Sequence, residues 1–111
     1  MLYIESDGIV RLTRGDTARL TVDITNITSE QPYIIGDKDV LTLSLKKNIN
    51  DTEPTLQKVI TGSSIFHIEP DDTKNLSFGK YKYDVQLTTE SGDVYTVIEP
   101  SVFELMQEVT Y

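Results

Sequence analysis

Apolar and polar residues alternate with a period of two over much of this chain. In "TARLTVDIT" (17–25), Leu20, Val22 and Ile24 fall on one face and Arg19, Thr21 and Asp23 on the other. "VLTLSLKK" (40–47) sets Leu41, Leu43 and Leu45 against Thr42, Ser44 and Lys46. "GKYKYDVQLTT" (79–89) sets Tyr81, Tyr83, Val85 and Leu87 against Lys80, Lys82, Asp84 and Gln86. Successive side chains of a strand point to opposite faces, so this is the pattern of antiparallel sheet with one dry and one wet face. Shorter strands are predicted at 9–13, 56–61, 64–68, 93–98 and 102–107. No ten-residue window carries a helical period. Only "PDDTKN" (70–75) predicts helix, for a single turn, with Asp71 or Asp72 as its N-cap.

The breaks between these runs have turn chemistry. Arg14-Gly15-Asp16 has the composition of a tight hairpin turn, "TGSS" (61–64) marks a further turn of unspecified type, and "ESGD" (90–93) places Gly92 where a left-handed residue is needed. Pro100 has no N–H for a ladder and is expected to kink the last strand or lie at an edge. Seven or eight strands at roughly ten-residue spacing indicate a sandwich or a barrel.

The stretch "DDTKNLSFGKYKYDVQL" (71–87) chooses between them. In immunoglobulin-like (Ig-like) sandwiches a helical turn precedes a strand beginning Gly-x-Tyr-x-Cys, and the tyrosine hydroxyl bonds back to the backbone at that corner. Gly79-x-Tyr81-x-Tyr83 fits, with Tyr83 in the place of the cysteine, where a buried ring fills the volume of a disulfide. The expected corner comprises Asp72 as cap, Leu76 as a plug in the core, Gly79 at the bend, Tyr81 and Tyr83. The predicted fold is an Ig-like antiparallel β-sandwich of seven or eight strands with one short 3-10 turn, a single domain over residues 1–111.

Composition narrows the function. With 111 residues, 38% hydrophobic and 25% charged, the chain is globular and long enough for one core. It has no cysteine, which excludes disulfides and thiolate chemistry. Ten basic and eighteen acidic side chains give a net charge of −8, which repels phosphate backbones and anionic lipid. No nucleic-acid binding is expected, but a basic partner or a nucleic-acid mimic fits such a field. "MLYIESDGIV" lacks the features of a signal peptide and no apolar run is long enough to span a bilayer, so synthesis in the cytoplasm without membrane insertion is expected.

Candidate chemistry is sparse. His67 is the only histidine and sits in a strand-like segment, and no serine lies in a nucleophile-elbow context. The carboxylates at Asp37/Asp39, Asp51/Glu53 and Glu69/Asp71/Asp72 lack the spacing of a calcium loop and read as loop solvation and capping. No catalytic residue, metal or cofactor is expected. Asn26, Asn50 and Asn75 each begin N-x-Ser/Thr and read as turn and capping residues, and the "RGD" tripeptide reads as an ordinary turn. Tyr33 and Tyr95 are the better candidates for exposed contacts, because Tyr81 and Tyr83 share a face with Val85 and Leu87. Strand 102–107 is a candidate docking edge, since Val102, Phe103, Leu105 and Met106 place apolar side chains on both its faces.

Five phrases taken together, "RGDTARLTVDITN", "GDKDVLTLSLKK", "EPTLQKVI", "IEPDDTKNLSFGKYKYDVQLTTESGDVYTVI" and "FELMQEVTY", cover most of the chain. They resemble small Ig-like proteins of phages and prophages of Gram-positive bacteria, akin to the N-terminal module of phage baseplate upper proteins. The segment 27–39 departs most from that pattern. The resemblance implies a non-enzymatic structural or adaptor module of a tail or baseplate, virion-associated, contacting other phage structural proteins or itself. Two other readings stand beside it: a soluble acidic inhibitor acting on a host protein, and a carbohydrate-binding module using Tyr33 or Tyr95 beside a groove.

Overall fold

The computed structural model describes residues 2–4, 9–24, 30–48 and 50–107. Within them lie β1 (Leu2–Ile4), β2 (Val10–Thr13), β3 (Ala18–Thr21), β4 (Val40–Lys46), β5 (Leu56–Thr61), β6 (Ile65–Ile68), α1 (Pro70–Thr73), β7 (Gly79–Thr88) and β8 (Val94–Met106). The chain is mostly β. One sheet has the order β1-β2-β8-β7-β4-β5, and a second consists of β3 and β6. Their inward faces share one hydrophobic cluster: Leu20, Val22, Phe66 and Ile68 belong to the smaller sheet and the segment that follows β3, and Leu41, Leu43, Leu45, Val85 and Phe103 to the larger. The period-two runs supply this core directly, each burying alternate residues.

Several expectations are corrected by the pairing. The segments 93–98 and 102–107 form one strand, because Pro100 is absorbed instead of breaking it. Tyr83 faces Ser101, Val85 faces Ile98 and Gln86 faces Thr96, so β8 carries extra residues on both sides of the Val85 pair. A bulge is where a residue without an N–H is tolerated inside a sheet. The sheet is also not wholly antiparallel: β2 runs parallel to β8, with Val10 opposite Phe103 and Leu12 opposite Leu105. Over residues 103–105 the last strand is therefore no edge. β2 and β7 occupy its two sides, and Phe103 and Leu105 are each 1% exposed.

The turns fall where expected, but the one expected to be a hairpin at 14–16 is not one. Arg14-Gly15-Asp16 does turn, with Asp16 N–H bonded to Thr13 O at 3.1 Å and Gly15 at φ +84°, yet β2 and β3 go to different sheets. The turn at 61–64 likewise carries the chain from one sheet to the other. Of these three turns only 89–93 closes a hairpin, with Gly92 at φ +93°. The predicted strand 17–25 is regular only to Thr21. Thr25 and Asn26, like Met106's successors from 108 onward, lie outside the described residues.

The short helix is a turn of α-helix, closed by Lys74 N–H to Pro70 O at 3.0 Å, and not a 3-10 turn. Its N-cap is Glu69, not Asp71 or Asp72. Pro70, with its fixed φ and missing N–H, takes the first helical position and so puts the cap at the residue before it. Asp72 becomes the third helical residue and reaches back to the Glu69 N–H at 2.8 Å, one half of a capping box.

Candidate functional site

One end of the molecule is organised around Asp39, which is 6% exposed. β4 begins there, β5 and β7 end there, and β8 starts there, as the pairs of Val40 with Thr61 and Thr88, and of Thr88 with Val94, require. Asp39 Oδ2 accepts hydrogen bonds from the Tyr33 hydroxyl at 2.6 Å and the Gly36 N–H at 2.9 Å, while Oδ1 accepts from the Glu90 N–H at 3.3 Å. Its carbonyl accepts from the Gly62 N–H at 2.9 Å. One residue thus fixes the 33–36 segment, the β5–β6 turn and the β7–β8 hairpin. The Tyr33 hydroxyl, followed by the Gly36 N–H, holds the Asp39 carboxyl below its ordinary value despite burial. The same bond to Asp39, with burial second, raises the Tyr33 phenol.

This frame displays apolar side chains. Tyr95, 54% exposed, lies close enough to Tyr33 to affect its ionisation, and Ile34 beside Tyr33 is 85% exposed. Tyr33 is half-buried and packs against the core, so only Tyr95 of the two predicted contact tyrosines is exposed. Ile34 was missed by the sequence reading, which weighed aromatic contacts and strand faces but no isolated aliphatic in a loop.

The opposite end holds the predicted corner. Tyr81 is buried, and its hydroxyl donates to the Ser77 carbonyl at 2.7 Å. Leu76 packs against the core from a half-buried position, and its carbonyl accepts from Arg14 Nη1 at 3.1 Å. Gly15 N–H donates to Thr73 Oγ1 at 2.8 Å, so the "RGD" turn is tied to the helix. Gly79 has φ +138°. Tyr83 is buried, edge-on to Phe103 with ring centroids 5.8 Å apart, and burial raises its phenol pKa.

The remaining candidates are separated. Val102 is half-buried opposite Lys82, and Met106 half-buried opposite Thr13. His67 is exposed opposite Arg19. Asp51 accepts from the Asn48 N–H at 3.0 Å, and Asp71 pairs with Lys74 at 3.0 Å. Among the described residues, no three carboxylate or histidine side chains converge as a metal-binding group, and no helix is long and apolar enough to cross a membrane. A polar groove lies on the outer face of the larger sheet, and neither Tyr33 nor Tyr95 lines it. Comparison with protein-family models, with curated proteins and with solved structures finds no match to this chain.

Proposed function

We propose that this chain is a non-enzymatic Ig-like module of a phage or prophage tail or baseplate, acting through protein–protein contacts. The Ig-like part is supported by strand order. Variable-type Ig sandwiches extend a G-F-C sheet with C′ and oppose it with a sheet containing B and E. The order β8-β7-β4-β5 corresponds to G-F-C-C′ and β3-β6 to B-E. Tyr81, near the start of the strand equivalent to F and bonded to backbone four residues upstream, is in the position of the tyrosine corner.

The observation that carries the contact reading is the end built on Asp39. Ile34 and Tyr95 are exposed apolar side chains on a hydrogen-bonded frame, and a partner that covered them would meet a surface already ordered. The inhibitor reading has less support. Asp39 is buried, Asp72 pairs with Lys58, Glu104 with Arg11 and Glu90 with Lys38, so these carboxylates do not form one phosphate-like array.

Mass spectrometry of purified particles of the encoding phage or induced prophage tests the proposal. The chain should be present in stoichiometric amount, and the Ile34→Asp, Tyr95→Asp double variant should be lost from particles while melting like the parent. A chain found only free in the lysate, or a double variant that still assembles, counts against it.

A further inference from the structure

The groove on the outer face of the larger sheet has a volume of about 380 Å³, within the usual range for small-ligand sites. Its most unusual component is a pair of like charges. Lys46 of β4 and Lys82 of β7 are direct cross-strand partners. Like charges placed opposite each other weaken a sheet, and this chain has eighteen acidic side chains from which a complement could have been drawn. Among the described residues neither lysine is in an ion pair.

The chemistry changes two residues further along both strands. Ser44 faces Asp84, and Gln57 of β5 donates to Ser44 Oγ at 3.1 Å. Gln86 follows on the same face. β8 flanks this face beyond β7; its bulge lies opposite Asp84, and Pro100 forms part of the groove wall. Bulges commonly re-aim a strand beside a site. The result is a concave surface with two ammonium groups at one end, and a carboxylate, a hydroxyl and two amides at the other.

We infer that this groove binds a small polyhydroxylated anion, a sugar phosphate or a sugar carboxylate. Its anionic group lies between Lys46 and Lys82, turning a repulsive pair into a bridged one. Its hydroxyls donate to Asp84 and exchange hydrogen bonds with Gln57 and Gln86. A bare anion would leave the polar end unused and would meet Asp84 as a like charge. A neutral sugar would leave the two lysines opposed.

The test is an amide-shift titration of the full chain by NMR with glucose 6-phosphate, glucuronate, glucose and inorganic phosphate, each at low and at physiological salt. One or both sugar anions should shift amides of β4, β5 and β7 around the groove, and binding should weaken with salt. The responding member of the pair identifies the anionic group. Glucose and inorganic phosphate should each bind at least about tenfold more weakly. The Lys46→Gln, Lys82→Gln variant should lose about tenfold or more in affinity while melting no lower than the parent, since its repulsive pair is gone. Absence of groove shifts with both sugar anions overturns the inference. So does equal binding of inorganic phosphate, or full affinity in the double variant.

Discussion

Replacing Tyr81 by phenylalanine removes a single hydroxyl from the corner and leaves the buried ring in place. That hydroxyl donates to the Ser77 carbonyl at 2.7 Å and lies 3.2 Å from Ser77 Oγ, which also meets Lys47 Nζ at 3.4 Å. Ser77 is exposed, so water can reach the carbonyl the phenol abandons. The expected loss is therefore the net value of one hydrogen bond, about 1 kcal/mol, and not the larger penalty of an orphaned buried group. Thr73→Val provides the contrast. Its side chain is fully buried, and its loss strands the Gly15 N–H that ties the 14–16 turn to the helix, so about 1–2 kcal/mol is expected. Urea unfolding followed by far-UV circular dichroism measures both. With a slope of about 1–3 kcal/mol per molar urea, Tyr81→Phe should lower the midpoint by about 0.3–1 M without changing the slope. The double variant should show a coupling of about 0.5 kcal/mol or more, because the two bonds hold opposite ends of the short 73–77 segment. A Tyr81→Phe midpoint equal to the parent's would mean that ring packing alone holds the corner, and the hydrogen-bond argument would fail.

Acid should act through Asp39. Its folded pKa lies below the unfolded 3.8, so its contribution is present above about pH 4 and is lost as pH falls through the folded value; Asp39→Asn should melt with a flatter acid limb than the parent. Tyr33 works in the opposite sense, its neutral form being favoured, so its contribution is lost as pH rises past 10.0 and through the folded value, and Tyr33→Phe should flatten the alkaline limb. Gly62→Ala should melt below Gly15→Ala. Both positions have positive φ, but a Cβ at 62 would sit 3.1 Å from the Asp37 carbonyl whereas one at 15 meets nothing within 4 Å. At Asp72 burial pushes the carboxyl up, and the Glu69 N–H and Lys58 together outweigh it. Lys58→Met, which breaks the 2.9 Å bridge, should raise the Asp72 pKa in an NMR titration and lower stability by about 1 kcal/mol.

The strands legible in the sequence were those whose two faces meet different solvents. Leu41, Leu43 and Leu45, or Tyr81, Tyr83, Val85 and Leu87, announce a buried face because burial acts residue by residue. Pairing acts between residues far apart, and there the reading went astray. Nothing local to Val102–Met106 says that β2 will lie along it, so apolar residues on both faces suggested an open edge when the strand is inside the sheet. Pro100 is expected to kink the strand or lie at an edge because its missing N–H matters in a regular ladder, and the bulge that accommodates it depends on β7. Asp39 illustrates the same limit at the apolar end. In sequence it is one of two carboxylates in a loop; in the fold it collects donors from 33, 36 and 90. The Lys46–Lys82 opposition became visible only once β4 and β7 were in register, although each lysine had been placed correctly on a wet face.

The parallel pairing of β2 with β8 bears on how the protein is made. Arg11 and Glu104 bond at 3.1 Å across 93 positions of sequence. A chain emerging from the ribosome delivers β2 well before its partner. Until β8 emerges, β2 has β1 on one side and an open ladder on the other, and the side of β7 that β8 will take is open as well. Contacts of such long span form slowly and leave unpaired strand edges available to neighbouring chains. Closure of the larger sheet therefore waits for residues 103–106, and until they arrive the nascent chain carries unpaired strand edges.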